Sequence, residues 1–182
     1  MAPVTIRAAR DGDGPDLQDI ERAAGERFRD VGMAAIAEDE PLPLDTLAAY
    51  AAAGRSWVAV DGPSRVVGYV VVDVVDDHAH VEQISVRPDQ QGRGVGRALL
   101  DRVATWARDT GRTAITLTTF TDVPWNRPLY EHLGFRVLAE PEIGPELRDL
   151  RATEAAHGLD PATRVCMRRE VAAPGGVPAP GK

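Results

Sequence analysis

One cysteine, Cys166, stands in this chain of 182 residues. No internal disulfide can form, and no set of three or four ligands exists for a zinc site. The expected place for Cys166 is a small, partly buried position on a late strand. Long apolar runs are missing as well. The first residues, from Met1 to Arg7, have no extended hydrophobic region, and nowhere do about 18 apolar residues follow one another, so neither a signal segment nor a spanning helix is expected. A soluble, cytoplasmic protein is the expectation. Positive charge is in deficit: the net charge is −7 and the isoelectric point about 5.1. That balance argues against nucleic acid as the main partner, because phosphate contacts need a basic face, and it favours a cationic one. Aromatic residues are few too. With three tyrosines in the chain, any one that stands inside a motif draws notice.

Among what is present, the stretch Gln90-Gln91-Gly92-Arg93-Gly94-Val95-Gly96-Arg97 organises the rest. It lies between an apolar run that reads as a strand, His78 to Val86, and a periodic segment that reads as a helix with Val95, Leu99, Val103 and Trp106 on its buried face and Gly111 as its stop. Three glycines at alternate positions allow a tight turn that aims successive N–H groups at one point. The helix adds its unpaired first-turn amides and the positive end of its dipole. Arg93 and Arg97 place two further positive charges there. A helix N-terminus disfavours cations, and an anion between the two arginines resolves the conflict.

Elimination narrows the anion. A Walker A loop requires Gly-Lys-Ser/Thr, which does not occur, and G-x-G-x-x-G started at Gly92 or Gly94 meets Arg97 or Leu99 where glycine is required. What remains is Q-x-x-G-x-G at Gln91, Gly94 and Gly96, after Ile-Ser-Val-Arg-Pro and before Ala-Leu-Leu. This resembles the coenzyme A pyrophosphate loop of the GNAT family of N-acetyltransferases. Downstream, Pro124-Trp125-Asn126-Arg127-Pro128-Leu129-Tyr130-Glu131-His132-Leu133-Gly134-Phe135 resembles the second signature of that family, an Asn and a Tyr four apart on a short helix ending in Leu-Gly-Phe. The resemblance is specific from about His78 to Val137.

The remaining chain reads in order as a strand at Val4 to Ala8, a helix from Pro15 to about Arg29 and an acidic surface loop from Gly32 to Pro43. A helix from Leu44 or Asp45 to Gly54 and a hairpin of Ser56 to Val60 with Val66 to Val75 follow, Gly68 marking a bulge. Strands are expected at Thr113 to Thr119, from Phe135 through Leu138 and at Thr163 to Val171, with a weak helix between Glu142 and Gly158. Residues 1–171 are read as one domain, and 172–182, rich in Ala, Pro and Gly, as a disordered tail. The resemblance implies a mixed α/β fold: a mainly antiparallel twisted sheet of about seven strands with helices on both faces, the first two helices walling the acceptor site.

It also implies the chemistry, which is transfer of an acetyl group from acetyl-CoA to a primary amine by direct attack in a ternary complex, without a metal. Ile84, Ser85 and Val86 would pair with the pantetheine arm, and Gln91, Gly92, Arg93, Gly94, Val95, Gly96 and Arg97 would hold the pyrophosphate. Asn126 and Tyr130 would touch the cofactor. A lysine-like amine is neutral in only roughly 0.04% of molecules at pH 7, a handicap of about 4.6 kcal/mol, so a base or a water chain must recover it. Period 2 sets His78, His80, Glu82, Ile84 and Val86 on one face of their strand. Glu82 is the first choice for base and His80 the competitor; His78 and His80 also resemble the His-x-His of arylalkylamine acetyltransferases. Tyr130 is the candidate acid for the leaving thiolate. Plain alternatives stand beside these: Asn126 as a helix N-cap, Tyr130 as packing, the histidines as strand-end side chains. A non-catalytic acyl-CoA sensor and a nucleotide-phosphate regulatory module are the rival functions. The acceptor, whether small amine, amino acid, antibiotic or peptide, is open, as is a homodimer.

Overall fold

The computed structural model describes residues 4–171. The expected tail, 172–182, lies outside the described residues. The elements are β1 (Thr5–Ala8), α1 (Gly14–Gly25), α2 (Ala34–Ala37), α3 (Leu44–Ala52), β2 (Ser56–Asp61), β3 (Arg65–Val75), β4 (His78–Val86), α4 (Val95–Asp109), β5 (Ala114–Phe120), α5 (Arg127–His132), β6 (Arg136–Val137), α6 (Pro145–Ala156) and β7 (Arg164–Glu170). Seven strands form one sheet in the order β1-β2-β3-β4-β5-β7-β6. The β4–β5 pair is parallel, whereas β1–β2, β2–β3, β5–β7 and β6–β7 are antiparallel. The fold class is therefore α/β with a mostly antiparallel sheet.

The chain packs as two compact units, residues 4–73 with 81–102, and residues 74–80 with 103–171. In the first, period-3.6 apolar residues of α1 (Leu17, Ile20) and α3 (Leu47) bury against alternate residues of the hairpin, Val58, Val60, Val66, Tyr69 and Val71. The other face of β3 approaches α4 so closely that any side chain at position 68 would crowd its neighbours. A Cβ there would lie 3.1 Å from the Ser85 carbonyl oxygen and 3.2 Å from Val95. The ladder is irregular one step away, where Ala59 pairs with Gly68 but Val60 with Val66. The expected bulge thus lies beside Gly68.

In the second unit Val75, Leu138, Ile143, Leu147 and Cys166 form a separate apolar cluster. Cys166 is buried on β7, and that burial pushes its thiol up to about 11. Asp76 and Asp77 close the β3–β4 hairpin with φ of 49° and 59°, the pair of positive φ values that a two-residue turn of the type I′ kind needs. The Asp76 carboxylate accepts hydrogen bonds from the amides of Glu146 and Leu147, each at 3.0 Å, and so caps α6 from a distance in sequence of about 70 residues.

Three expectations change. The first helix stops at Gly25, and Glu26–Val31 tightens into a 3₁₀ helix with no buried residue, ending at left-handed Gly32. One helical turn, α2, interrupts the stretch read as irregular. Trp106 is half-buried rather than core: its ring lies under the Arg112 guanidinium, 5.0 Å from the centroid. Period alone does not tell a buried ring from one covered by a cation.

Candidate active site

The glycine loop follows β4 through one 3₁₀ turn, Pro88–Gln90. Gly92 and Gly94 both adopt left-handed backbone, φ 75° and 77°, which explains glycine at those two positions. Gly96 is different. Its φ is ordinary, yet a Cβ there would meet nothing within 4 Å, as at Gly92 and Gly94. The space over the loop is open and fits a phosphate pressed against backbone. The first helical hydrogen bond of α4 runs from the Ala98 amide to the Gly94 carbonyl at 3.0 Å, so the amides of 95, 96 and 97 precede it and need acceptors from elsewhere.

The two arginines divide. Arg93 does not stand free beside the loop: its guanidinium is 3.1 Å from the Asp61 carboxylate and bonds the Gln90 side-chain oxygen. The cation at the helix start is offset by Asp61, at the end of β2, and not by a ligand alone. Arg97 is exposed, as is Gln91, while Val95 is buried in the core. Gln90, which the motif reading passed over, is 5% exposed and is what anchors Arg93. An Asp at a strand end, followed by Gly-Pro, gave no local signal of that partnership.

On β4 the candidates separate by burial. Glu82 is exposed; Ile84 and Val86 are half-buried; Ser85 is buried and its Oγ accepts from Gln83 Nε2 at 3.1 Å. His80 is 1% exposed, and its Nδ1 lies 2.9 Å from Thr116 Oγ1 on β5. The recorded parallel pairing of β4 with β5 consists of Ala79 with Ile115 and His80 with Thr116, so this histidine sits where the two strands are zipped together. His78 is half-buried, with Nε2 3.0 Å from Arg168 Nη1. Desolvation first, and the Arg168 charge second, hold its ring below the usual histidine range. The two histidines of the His-x-His pattern are each engaged by the protein.

On the second unit Asn126 occupies the N-cap position of α5, but its side chain makes no capping hydrogen bond. The helix does not use the amide. Tyr130 follows one turn later, its amide bonded to the Asn126 carbonyl at 3.1 Å. Its half-buried ring meets Phe135 edge-on, 5.7 Å between centroids. Burial pushes its phenol up to about 12, which keeps it a proton donor across the neutral range. Leu133, Gly134 and Phe135 finish the motif: Gly134 takes φ 88°, and the Phe135 amide returns to the Tyr130 carbonyl at 3.0 Å.

The model of the acetyltransferase (GNAT) family matches residues 17–135. The chain belongs to that family. Its curated relatives include the L-amino acid N-acyltransferase MnaT of Escherichia coli strain K12, 35% identical over 68 residues, or 37% of this chain and 40% of MnaT. The N-acetyltransferase 8F1 of Rattus norvegicus is 34% identical over 89 residues, 46% of this chain and 40% of that protein. The chain thus spans about two fifths of the length of these relatives. Among solved structures, this GNAT chain superposes with a TM-score of 0.63 on the ribosomal-protein-S18-alanine N-acetyltransferase of E. coli, at 21% identity over 95% of this chain and 97% of that one. The PaiA N-acetyltransferase of Thermoplasma acidophilum, solved in complex with coenzyme A, gives a TM-score of 0.70 at 14% identity over 93% and 99%. At such identities the likeness is one of fold. No helix among the described residues is long and apolar enough to cross a membrane.

Proposed function

We propose that the protein is an acetyl-CoA-dependent N-acetyltransferase, a single cytoplasmic catalytic domain acting on a primary amine by direct transfer in a ternary complex. The observation that carries this reading is the loop: two left-handed glycines and open space over Gly92, Gly94 and Gly96, leading into α4 with its first-turn amides at 95, 96 and 97. In this reading those amides and Arg97 bind the pyrophosphate, Gln91 borders it, and the peptide groups of Ile84, Ser85 and Val86 pair with the pantetheine arm. Acetyl-CoA supplies a thioester whose carbonyl carbon is open to attack by an amine.

Glu82 is the base of this proposal, because it is exposed on β4 whereas His80 is buried against Thr116. It takes the proton from the acceptor ammonium and so recovers part of the handicap of working at neutral pH. Tyr130 holds a proton for the leaving sulfur, and the uncommitted side-chain amide of Asn126 touches the cofactor on the same helix face. Thermal shift with CoA and with ATP, followed by thiol release over a panel of primary amines, tests the reading. CoA should stabilise the protein more than ATP does, and at least one amine should release thiol. Stabilisation by CoA without turnover of any amine leaves a sensor, and stabilisation by ATP as strong as by CoA overturns the cofactor assignment.

A further inference from the structure

One charged cluster lies on the hairpin that carries the proposed base and is not part of either family signature. Tyr50, on α3, donates its hydroxyl proton to Asp73 Oδ2 at 2.6 Å. Arg55, just before β2, donates from Nη1 to Asp73 Oδ1 at 2.7 Å and to the Val72 carbonyl at 3.3 Å. Its guanidinium also lies over the Tyr50 ring, 5.4 Å from the centroid. Asp73 therefore fixes both the phenol and the guanidinium.

Glu82 belongs to the same cluster. A two-residue turn at Asp76 and Asp77 brings Val75 opposite His78 and, one step on, Asp73 opposite His80, two residues before Glu82. Asp73 is then the diagonal neighbour of Glu82 on one sheet face. Just past β4 the Arg87 amide bonds the Val67 carbonyl at 2.9 Å, a shift of one residue from the pairing at the turn. Desolvation and the Asp73 hydrogen bond raise the Tyr50 phenol above its ordinary value, with Glu82 raising it further and Arg55 opposing. A carboxylate and a guanidinium of opposite effect thus act on a single hydroxyl oxygen.

The charges balance in a particular way. Asp73 is neutralised through Nη1 of Arg55, and among the described residues no hydrogen bond is recorded from Nε or Nη2 of Arg55, whose side chain is 31% exposed. That edge of a guanidinium is the fork that receives a carboxylate in two parallel hydrogen bonds. Glu82, the other charge that acts on the phenol, receives an amine in this arrangement. A site with one anion acceptor and one cation acceptor around a shared hydroxyl matches a zwitterion better than it matches a diamine, whose second cation would meet the Arg55 guanidinium.

We propose that Arg55, held by Asp73 against the Tyr50 ring, binds the acceptor carboxylate, so that the acceptor class is an α-amino acid whose amine meets Glu82. This rests on the acetyltransferase reading given above. Arg55 sets specificity; the proton is taken by Glu82.

The test compares L-amino acids with their own α-amides in a thiol-release assay at saturating acetyl-CoA, each rate referred to the neutral-amine fraction of that substrate because removing the carboxylate also lowers the amine pKa. Wild type should use the acids with kcat/KM at least ~10-fold above the amides, most of the difference lying in KM. Arg55→Gln should erase that preference while its CoA affinity, read by calorimetry, stays within a few-fold. Arg55→Lys keeps the charge and the tie to Asp73 but loses the fork, and should retain part of the preference, which covers the case of a poorly folding Arg55→Gln. Amides used as well as acids by wild type would overturn the inference, as would an equal loss on both series in the variants. Thioester left intact by every amine in both series overturns the acetyltransferase reading itself, a separate result.

Discussion

Glu82 and His80 stand two residues apart on β4, and alternation puts both side chains on one face, so period cannot rank them. Burial does. His80 is packed against Thr116 where β4 and β5 pair, whereas Glu82 is exposed. Glu82→Gln should lower kcat by ~10²-fold or more with little change in CoA affinity, in steady-state and calorimetric measurements. His80→Ala instead removes a buried ring and leaves Thr116 without its partner, so it should lower the unfolding free energy by about 2–4 kcal/mol. A stable His80→Ala protein with a large kcat defect would move the base to His80. At the proposed acid, Tyr130→Phe keeps the edge contact with Phe135 and removes only the hydroxyl. It should reduce kcat by ~10²-fold and spare CoA binding; a rate within a few-fold of wild type hands the thiolate's proton to water.

At the scale of elements, the glycine loop separates backbone demands from ligand demands. Gly94 has φ 77°, so Gly94→Val combines strain with obstruction, and a loss of CoA binding would have two causes. Gly96 has ordinary φ, stands in the first turn of α4, and has open space around a prospective Cβ. Gly96→Ala should therefore raise stability by about 0.5–1 kcal/mol through helix propensity, while CoA affinity falls because the methyl occupies the phosphate's approach. Equal CoA affinity with raised stability would show that the phosphate does not come close. A second element-scale test concerns the hairpin turn. Asp76→Gly relieves the left-handed φ of 49° but strips α6 of two amide acceptors. Loss of the cap should dominate, with a net destabilisation of about 1 kcal/mol in urea unfolding; a gain in stability would mean that backbone strain outweighs the cap.

For the whole molecule, the three tyrosines make a common prediction. Desolvation first, then carboxylate neighbours, raises Tyr50 beside Asp73 and Tyr69 beside Glu21, and desolvation alone takes Tyr130 to about 12. A phenol whose folded pKa is raised holds its proton more tightly in the folded state. The stability this contributes is fully present below about pH 10, the ordinary phenol value, and is lost as pH rises from there through about 12 for Tyr130. Phenolate absorbance should stay flat through pH 10 while the protein is folded and rise with unfolding above it. A tyrosine titrating near 10 in the native protein would contradict the desolvation that acts on all three.

The chain's own letters determined the glycine loop, the Asn-Tyr helix, the strand from His78 to Val86 and most element positions, because these depend on spacing, turn chemistry and period over a few residues. Helix α6 was only faintly legible, since its cap comes from Asp76 about 70 residues earlier. The engagement of Arg93 by Asp61, the burial of His80, and the meeting of Tyr50, Arg55 and Asp73 could not be read locally. Each depends on which residues of distant strands lie side by side, and a strand's sequence specifies the face a side chain takes but not the partner that meets it there. Tertiary structure alone decided that the phenol of Tyr50 and the guanidinium of Arg55 share the carboxylate of Asp73.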